Sequence, residues 1–483
     1  MHIHVVRDSG ELKDTVMVVF RTEDAELDGV GADILAGRGG AVDDGFSGKA
    51  GRVRLGCGAE GRVLSVGLGK AAEADPDAFR TAVGAAVRAA ATQELPALAV
   101  DAAHLAALDL AEDLAVEFAI AARLAAYRFV AFKSEPGEAD CPHRVAISGG
   151  KPDLHERLRA ALAVADGVEL ARNLVNTPAN VATPEYLAQT ARDLAEAHGF
   201  GVQFFGPDEI QAMGMGSFAS VFRGSDTPAR FIVLDSAPDA AEKPLVFVGK
   251  GVTFDTGGIS LKPAAKMHEM KGDMAGAAAI LGLFKALGLT GSARRVVGLL
   301  PCTENVPGSR ATKPGDVVTA MNGKTVEILN TDAEGRLILA DALAYSARFE
   351  PEILVDLATL TGACLVALGT KVAAVFATTA DLDQRIRENG NLVGERYWPM
   401  PLWAEYAAPL KSEVADLKNI AVREGGAIFA ALFLKNFVPQ GVDWAHLDIA
   451  GPAWTDENAS IFRPGGTGFG VRTLWELVRT YTE

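Results

Sequence analysis

The chain is short of cysteine. Its four, Cys57, Cys141, Cys302 and Cys364, are scattered over 483 residues with no CxxC pair, which excludes a disulfide framework and a CxxC redox or zinc motif and implies reduced thiols. Histidine is scarce as well, with eight residues and no HExxH pair on one helix face, so the commonest mononuclear zinc-peptidase motif is missing. Basic charge is the minority sign: 46 Lys and Arg face 62 Asp and Glu. The deficit is spread, −7 over residues 1–165 and −9 over the rest, so either half repels duplex nucleic acid. No apolar run reaches the ~20 residues that span a bilayer. The opening Met1–Asp8 meets an acid before any apolar stretch, so no signal peptide is expected and the location expected is cytoplasmic. No GxSxG elbow is present either.

What remains is an ordinary folded composition, 49% apolar and 22% charged, with 51 glycines that imply many tight turns or close backbone approaches. At ~150 residues per domain the length allows two or three domains. Short apolar runs alternate with Ala-rich stretches, the pattern of βα units around a largely parallel sheet. In the first third the expected strands are 15–20, 62–69, 97–101 and 144–148, and the expected helices 77–93, 110–129 and 153–175. Ser148-Gly149-Gly150-Lys151-Pro152 punctuates the chain, and a domain boundary is placed near residue 165. Beyond it, strands are expected at 231–234, 245–248, 295–300, 353–357 and 444–449, with helices at 274–287 and 335–348. Leu245-Val246-Phe247-Val248 is wholly apolar, as a central strand covered on both faces should be.

Two segments carry chemistry, each where an α/β sheet usually keeps it, beyond strand C-termini. The first runs Gly249-Lys250-Gly251-Val252-Thr253-Phe254-Asp255-Thr256-Gly257-Gly258 through Lys262-Pro263 to Met270-Lys271-Gly272-Asp273-Met274. The second opens with a hairpin, 317–321 and 324–328, whose Asn322-Gly323 predicts a type I′ turn. It delivers Asn330-Thr331-Asp332-Ala333-Glu334-Gly335-Arg336-Leu337 to a helix start. On an extended backbone Asp332 and Glu334, two apart, would point the same way.

Asp255, Asp273, Asp332 and Glu334 together carry −4, and four carboxylates brought together stay ionised only beside cations. Two divalent ions supply that charge, and oxygen ligands favour Mg, Mn or Zn. Such a pair clamps attacking and leaving oxygens and makes hydroxide available near neutral pH. Lys250, Lys262 and Arg336 then read as oxyanion stabilisers or, for a lysine deprotonated by the metal, as a ligand. Judged by spacing alone, carboxylates at loop tips are more often solvated or cap helices, and Asp273 and Glu334 both lie near helix starts. Gly323-Lys324-Thr325 imitates the tail of a P-loop, but position 318 is Val and the segment is a hairpin.

At these residues the chain resembles the leucyl aminopeptidase, or cytosol aminopeptidase, family of dinuclear metallopeptidases. Asn330–Leu337 looks like the family signature, and Gly249–Gly258 and Met270–Gly276 match its two metal loops in order. Support continues through Val355–Ala363 and Trp444–Gly451, so the match covers most of residues 170–475, with a looser likeness in the first third at Val66–Lys70. The resemblance implies an α/β fold of two domains: a macro-domain-like N-terminal α/β domain, 1–165, and a larger catalytic α/β domain with a mixed central sheet, 166–483. It implies a homohexamer and a hydrolase that releases N-terminal, leucine-like residues from peptides through a hydroxide bridging two divalent metals. Carried over, Lys250, Asp255, Asp273 and Glu334 bind one metal and Asp255, Asp332 and Glu334 the other. Lys262 stabilises the oxyanion, and Arg336 holds a bicarbonate acting as general base. Met270, Thr359, Gly362 and Ala450 are the side-chain pocket candidates. Gly272 departs from the family pattern, in which a larger, often aromatic residue commonly precedes the aspartate. A dinuclear phosphohydrolase is the alternative enzyme; the single Asp-x-Glu and the metal-binding lysine fit it poorly. Some aminopeptidases of the family also bind DNA, a role that the acidic balance of residues 1–165 opposes.

Overall fold

Each Ala-rich stretch becomes a helix laid on one of two mixed sheets. The computed structural model describes the chain apart from residues 7–11, 13, 39–44, 59–60, 111–112, 136, 138–141, 293, 459 and 482–483; Cys141 lies outside the described residues. Cys57, Cys302 and Cys364 are free thiols. The backbone divides into two compact units, Met1–Ala165 with Asp456–Pro464, and Asp166–Thr455 with Gly465–Glu483.

The first unit holds β1 (His2–Val6), β2 (Val16–Thr22), β3 (Val53–Gly58), β4 (Gly61–Gly69), β5 (Ala97–Asp101) and β6 (Arg144–Ser148), in the order β1-β6-β5-β2-β4-β3. All pairings are parallel except β3 with β4. The two strands without a forecast, β1 and β3, are the edges, where half-exposed positions need no apolar run. Helix Pro76–Thr92 begins where the sequence asks it to, with the Asp75 carboxylate accepting the Ala78 N–H at 2.7 Å and Pro76 in the first turn. Segment 456–464 returns to this unit without any signal in the sequence. It packs so closely on that helix that a β carbon at Gly84 would stand 2.0 Å from the Ser460 carbonyl oxygen.

The second unit is built on β7 (Gly201–Phe205), β8 (Arg230–Asp235), β9 (Leu245–Gly249), β10 (Gly251–Asp255), β11 (Val296–Asn305), β14 (Ile353–Ala358), β15 (Val372–Ala377), β16 (Arg396–Pro399) and β18 (Asp443–Asp448). Their order is β16-β15-β18-β14-β9-β11-β8-β7, with β10 prolonging the pairing to β11. The centre, β18-β14-β9-β11, is parallel, and β8, β7 and β15 join antiparallel, so the sheet is mixed as expected. β9 is buried throughout. Helix Ala275–Thr290 lies on this sheet. With the turn before it, Met267–Thr290 is long and apolar enough to pass for a membrane span, beyond what the sequence reading allowed, but 83% of its most apolar window is buried within the protein.

The small sheet of β12 (Asp316–Thr319), β13 (Thr325–Ile328) and β17 (Leu417–Lys418) contains the expected hairpin with a different turn. A type I′ turn needs positive φ at both central residues, whereas only Gly323, at φ +86°, is left-handed there. The Ala320 carbonyl accepts from Gly323 N–H and the Ala320 N–H donates to the Lys324 carbonyl, so the glycine follows the turn as a bulge instead of sitting within it.

Candidate metal centre

Two crossings of the sheet bring the charged side chains together. Lys250 occupies the one-residue break between β9 and β10, and Asp255 ends β10. A single turn, Met267–Gly272, then sets Asp273 just ahead of helix Ala275–Thr290. Gly276 lets that helix come close: a β carbon there would lie 2.1 Å from the Leu357 carbonyl oxygen of β14. Glu334 is the first residue of helix Glu334–Tyr345. Its neighbour Gly335 makes room for the lysine, since a β carbon there would stand 2.7 Å from Lys250 Nζ. Asp332 and Glu334 converge from a turn and a helix start, not from the extended backbone that their spacing suggested.

One carboxylate oxygen each from buried Asp255, Asp273 and Glu334 fall within 4.8 Å of one another. Lys250 Nζ spans Asp273 at 2.8 Å and Glu334 at 2.9 Å. Lys262 Nζ spans Asp255 Oδ2 at 2.7 Å and Asp332 Oδ1 at 2.5 Å. Burial pushes the Asp255 carboxyl up to about 8, helped by Glu334 and Asp273. It also pushes Asp273 up to about 6, against the pull of Lys250. Burial works against both ammonium groups too, yet Asp273 and Glu334 at Lys250, and Asp255 at Lys262, outweigh it and raise their pKa values. Glu334 stays low because the two lysines overcome its burial. The cluster therefore lacks positive charge, which the two lysines supply only in part.

Three supports hold these carboxylates in place. Asn305 Nδ2 donates to Asp255 Oδ1 at 2.7 Å and to the Thr331 carbonyl at 3.0 Å, and lies 3.4 Å from Glu334 Oε2. The Gly257 N–H donates to the same Asp255 oxygen at 2.8 Å. The Thr359 hydroxyl donates to Asp273 Oδ1 at 2.7 Å, while the Thr359 carbonyl accepts from Lys250 at 3.0 Å. Asn305 escaped the sequence reading, and a lone asparagine at a strand end gives no signal that could have found it. Thr359 was singled out for the pocket; its hydroxyl is spent on a carboxylate.

Lys250, Asp255, Lys262, Asp273, Asp332 and Glu334 line one cavity of about 300 Å³, together with Met270, Thr359, Gly362 and Ala450. Val175, Gly272, Leu365, Ala453 and Trp454 extend its apolar side. Arg336 does not line it. Its guanidinium is buried, Nη1 donates to the Asn419 carbonyl at 2.8 Å, and Nε has no hydrogen-bond partner among the described residues. Burial lowers its pKa to about 10.

Buried carboxylates with one amine among them form a hard, oxygen-rich donor set suited to a divalent cation, and the residues fit one. Asp332 stands outside the closest trio, tied to Lys262 and with a side chain 31% exposed. Fold and site thus define a metallohydrolase on a mixed α/β sheet. The family model for the catalytic domain of the cytosol aminopeptidase family matches residues 169–475, and that for its N-terminal domain matches residues 39–136. A probable cytosol aminopeptidase of Nitratidesulfovibrio vulgaris is 56% identical over 430 residues, covering 86% of this chain and 85% of that protein. Another, of Desulfovibrio desulfuricans, is 48% identical over 90% of this chain and 89% of its own length. Among solved structures, the bottromycin maturation enzyme BotP in complex with Mn superposes with a TM-score of 0.85 at 38% identity, covering 98% of this chain and all of that one. A tomato leucine aminopeptidase mutant gives 0.88 at 34%, covering 99% and 96%. The chain belongs to the cytosol aminopeptidase family and is a metal-dependent aminopeptidase.

Proposed function

We propose that this aminopeptidase removes leucine-like N-terminal residues from peptides with two divalent ions per subunit, Mn or Zn in preference to Mg. The observation that carries the reading is the buried trio Asp255, Asp273 and Glu334 beside two lysines on the wall of an apolar-sided cavity. Lys250, Asp255, Asp273 and Glu334 would hold one ion, and Asp255, Asp332 and Glu334 the other. When bound, a metal pair polarises a carbonyl and lowers the pKa of water toward neutrality. The chain's own groups do the rest. Lys262, which lines the cavity with a side chain 23% exposed, would aim an ammonium at the oxygen on which negative charge develops when the scissile carbonyl is attacked. Arg336 does not line the cavity, but its buried Nε lacks a hydrogen-bond partner among the described residues and would hold a small anion such as bicarbonate, whose chemistry when bound is that of a general base. Met270, Gly362 and Ala450 would receive the substrate side chain, with Thr359 beside them.

Residues 1–165 form the N-terminal domain in this reading and 166–483 the catalytic one; the enzyme works in the cytoplasm as a homohexamer. The test is metal analysis of purified protein beside hydrolysis of an aminoacyl p-nitroanilide panel with added Mn²⁺ or Zn²⁺. Two ions per chain and turnover of the leucine anilide are expected. Folded, metal-loaded protein that turns over no anilide overturns the reading, and turnover of p-nitrophenyl phosphate instead would make it a phosphohydrolase.

A further inference from the structure

Gly272 is a glycine whose backbone does not require one. Its φ lies outside the left-handed region, and a β carbon there would meet only ordinary contacts, Val175 Cγ1 at 3.4 Å and the Trp454 indole at 3.5 Å. What glycine supplies is therefore the missing remainder of a side chain, on the apolar wall of the cavity that holds the carboxylates.

The indole that such a β carbon would touch is held firmly. Trp454 pairs antiparallel with Gly466. The Gly466 N–H donates to Asn176 Oδ1 at 2.9 Å, and its carbonyl accepts from Arg172 Nε at 3.0 Å. Lys271 Nζ lies 5.9 Å from the indole centroid, within cation–π range, and donates to the Asn176 carbonyl at 2.9 Å. Lys271 thus lies over the ring, and Asn176 holds the strand paired with it. A pinned aromatic side chain on the wall of the cavity suits an apolar aromatic guest, because offset or edge-to-face aromatic contact adds to the burial of area.

We propose that Gly272 and Trp454 form an aromatic-accepting wall, so that the enzyme releases N-terminal phenylalanine, tyrosine or tryptophan at least as efficiently as leucine. The inference rests on the aminopeptidase reading above and specifies its substrate class. A side chain added at 272 would take up space on this wall of the cavity, which small N-terminal residues tolerate and aromatic ones do not.

The experiment measures kcat/KM for phenylalanine, leucine and alanine p-nitroanilides on the Mn²⁺-loaded full chain. Phenylalanine is expected to match or exceed leucine in the natural protein; a leucine value several-fold above phenylalanine overturns the proposal. The ratio, phenylalanine over alanine, should be well above one in the natural protein and fall roughly 10- to 100-fold in Gly272→Phe, the scale on which pockets discriminate by size. Trp454→Ala, whose position is remote in sequence from the carboxylates, should lower the ratio roughly 3- to 10-fold, and Trp454→Phe should restore most of it. A change in KM for the phenylalanine substrate larger than the change in kcat is expected of a pocket wall. An unmoved ratio in Gly272→Phe and Trp454→Ala alike, or a natural ratio below one, overturns the proposal. If the natural enzyme cleaves none of the anilides the aminopeptidase reading itself fails and the proposal falls with it, a result distinct from cleavage of all three with no aromatic preference.

Discussion

At the scale of single residues the site separates groups that gather charge from groups that answer it. Glu334 and Asp255, buried within the closest carboxylate trio, share the proposed ions, so Glu334→Ala should lose metal occupancy and activity together. Lys262 lines the cavity and spans Asp255 and Asp332, and its proposed role is to answer charge that develops in the transition state, not to assemble the metal site. Lys262→Ala should therefore keep its metal and lose roughly 10²–10³ in kcat, as metal analysis and initial rates on one preparation would show. A Lys262→Ala protein without metal, or a Glu334→Ala protein with full occupancy and rate, contradicts these roles. Asn305, which ties Asp255 to Thr331, would orient the proposed ligand Asp255. Its replacement by alanine should weaken Mn²⁺ binding about 10–100-fold, read by competition with a chelator; unchanged affinity would make it a packing residue. The carboxylates were legible because they stand in short Gly-rich runs with a recognisable order. Asn305 was not, because its partner Asp255 is 50 positions away and only the pairing of β10 with β11 joins them.

Elements place these residues, and one helix shows how. Helix Glu334–Tyr345 carries Glu334 at its mouth and Asp341 in its buried length. The Asp341 carboxylate accepts the Phe218 N–H at 2.8 Å and the Met321 N–H at 2.7 Å, pinning the helix to helix Gly216–Phe222 and to the hairpin loop. Burial pushes its pKa up to about 7, against the pull of those N–H groups. The folded protein therefore holds a proton there that the unfolded chain, with its ordinary value of 3.8, releases. Stability from this group is full below about pH 4 and is lost as pH rises through 7. Urea unfolding from pH 4.5 to 7.5 should show a steeper decline for the natural protein than for Asp341→Asn; parallel curves would contradict the shift. Periodicity revealed this helix to within three residues and found β5 and β6 at their observed limits. The edge strands β1 and β3 stayed hidden because they alternate weakly, and the turn at Asn322-Gly323 took a bulge because only Gly323 is left-handed.

For the whole chain, the net charge of −16 and a buried anionic cluster make cation binding part of folding stability. A ligand that binds only the native state at a hundred times its Kd adds about 2.7 kcal/mol, so Mn²⁺ should raise the melting temperature and a chelator lower it. Equal melting curves with and without metal would remove that link. The class of fold and the catalytic half were readable from the order of motifs, whereas the return of segment 456–464 to the first unit depends on packing that no local pattern encodes. The central claim, that a carboxylate-held metal site releases N-terminal residues, meets its most direct test in one reconstitution. Stripped protein is titrated with Mn²⁺ while bound metal and release of leucine from a leucyl peptide are followed together. The account predicts that release rises with occupancy and that Glu334→Ala shows neither. Release from the stripped protein at the full rate, or full occupancy of folded protein without any release, would contradict it.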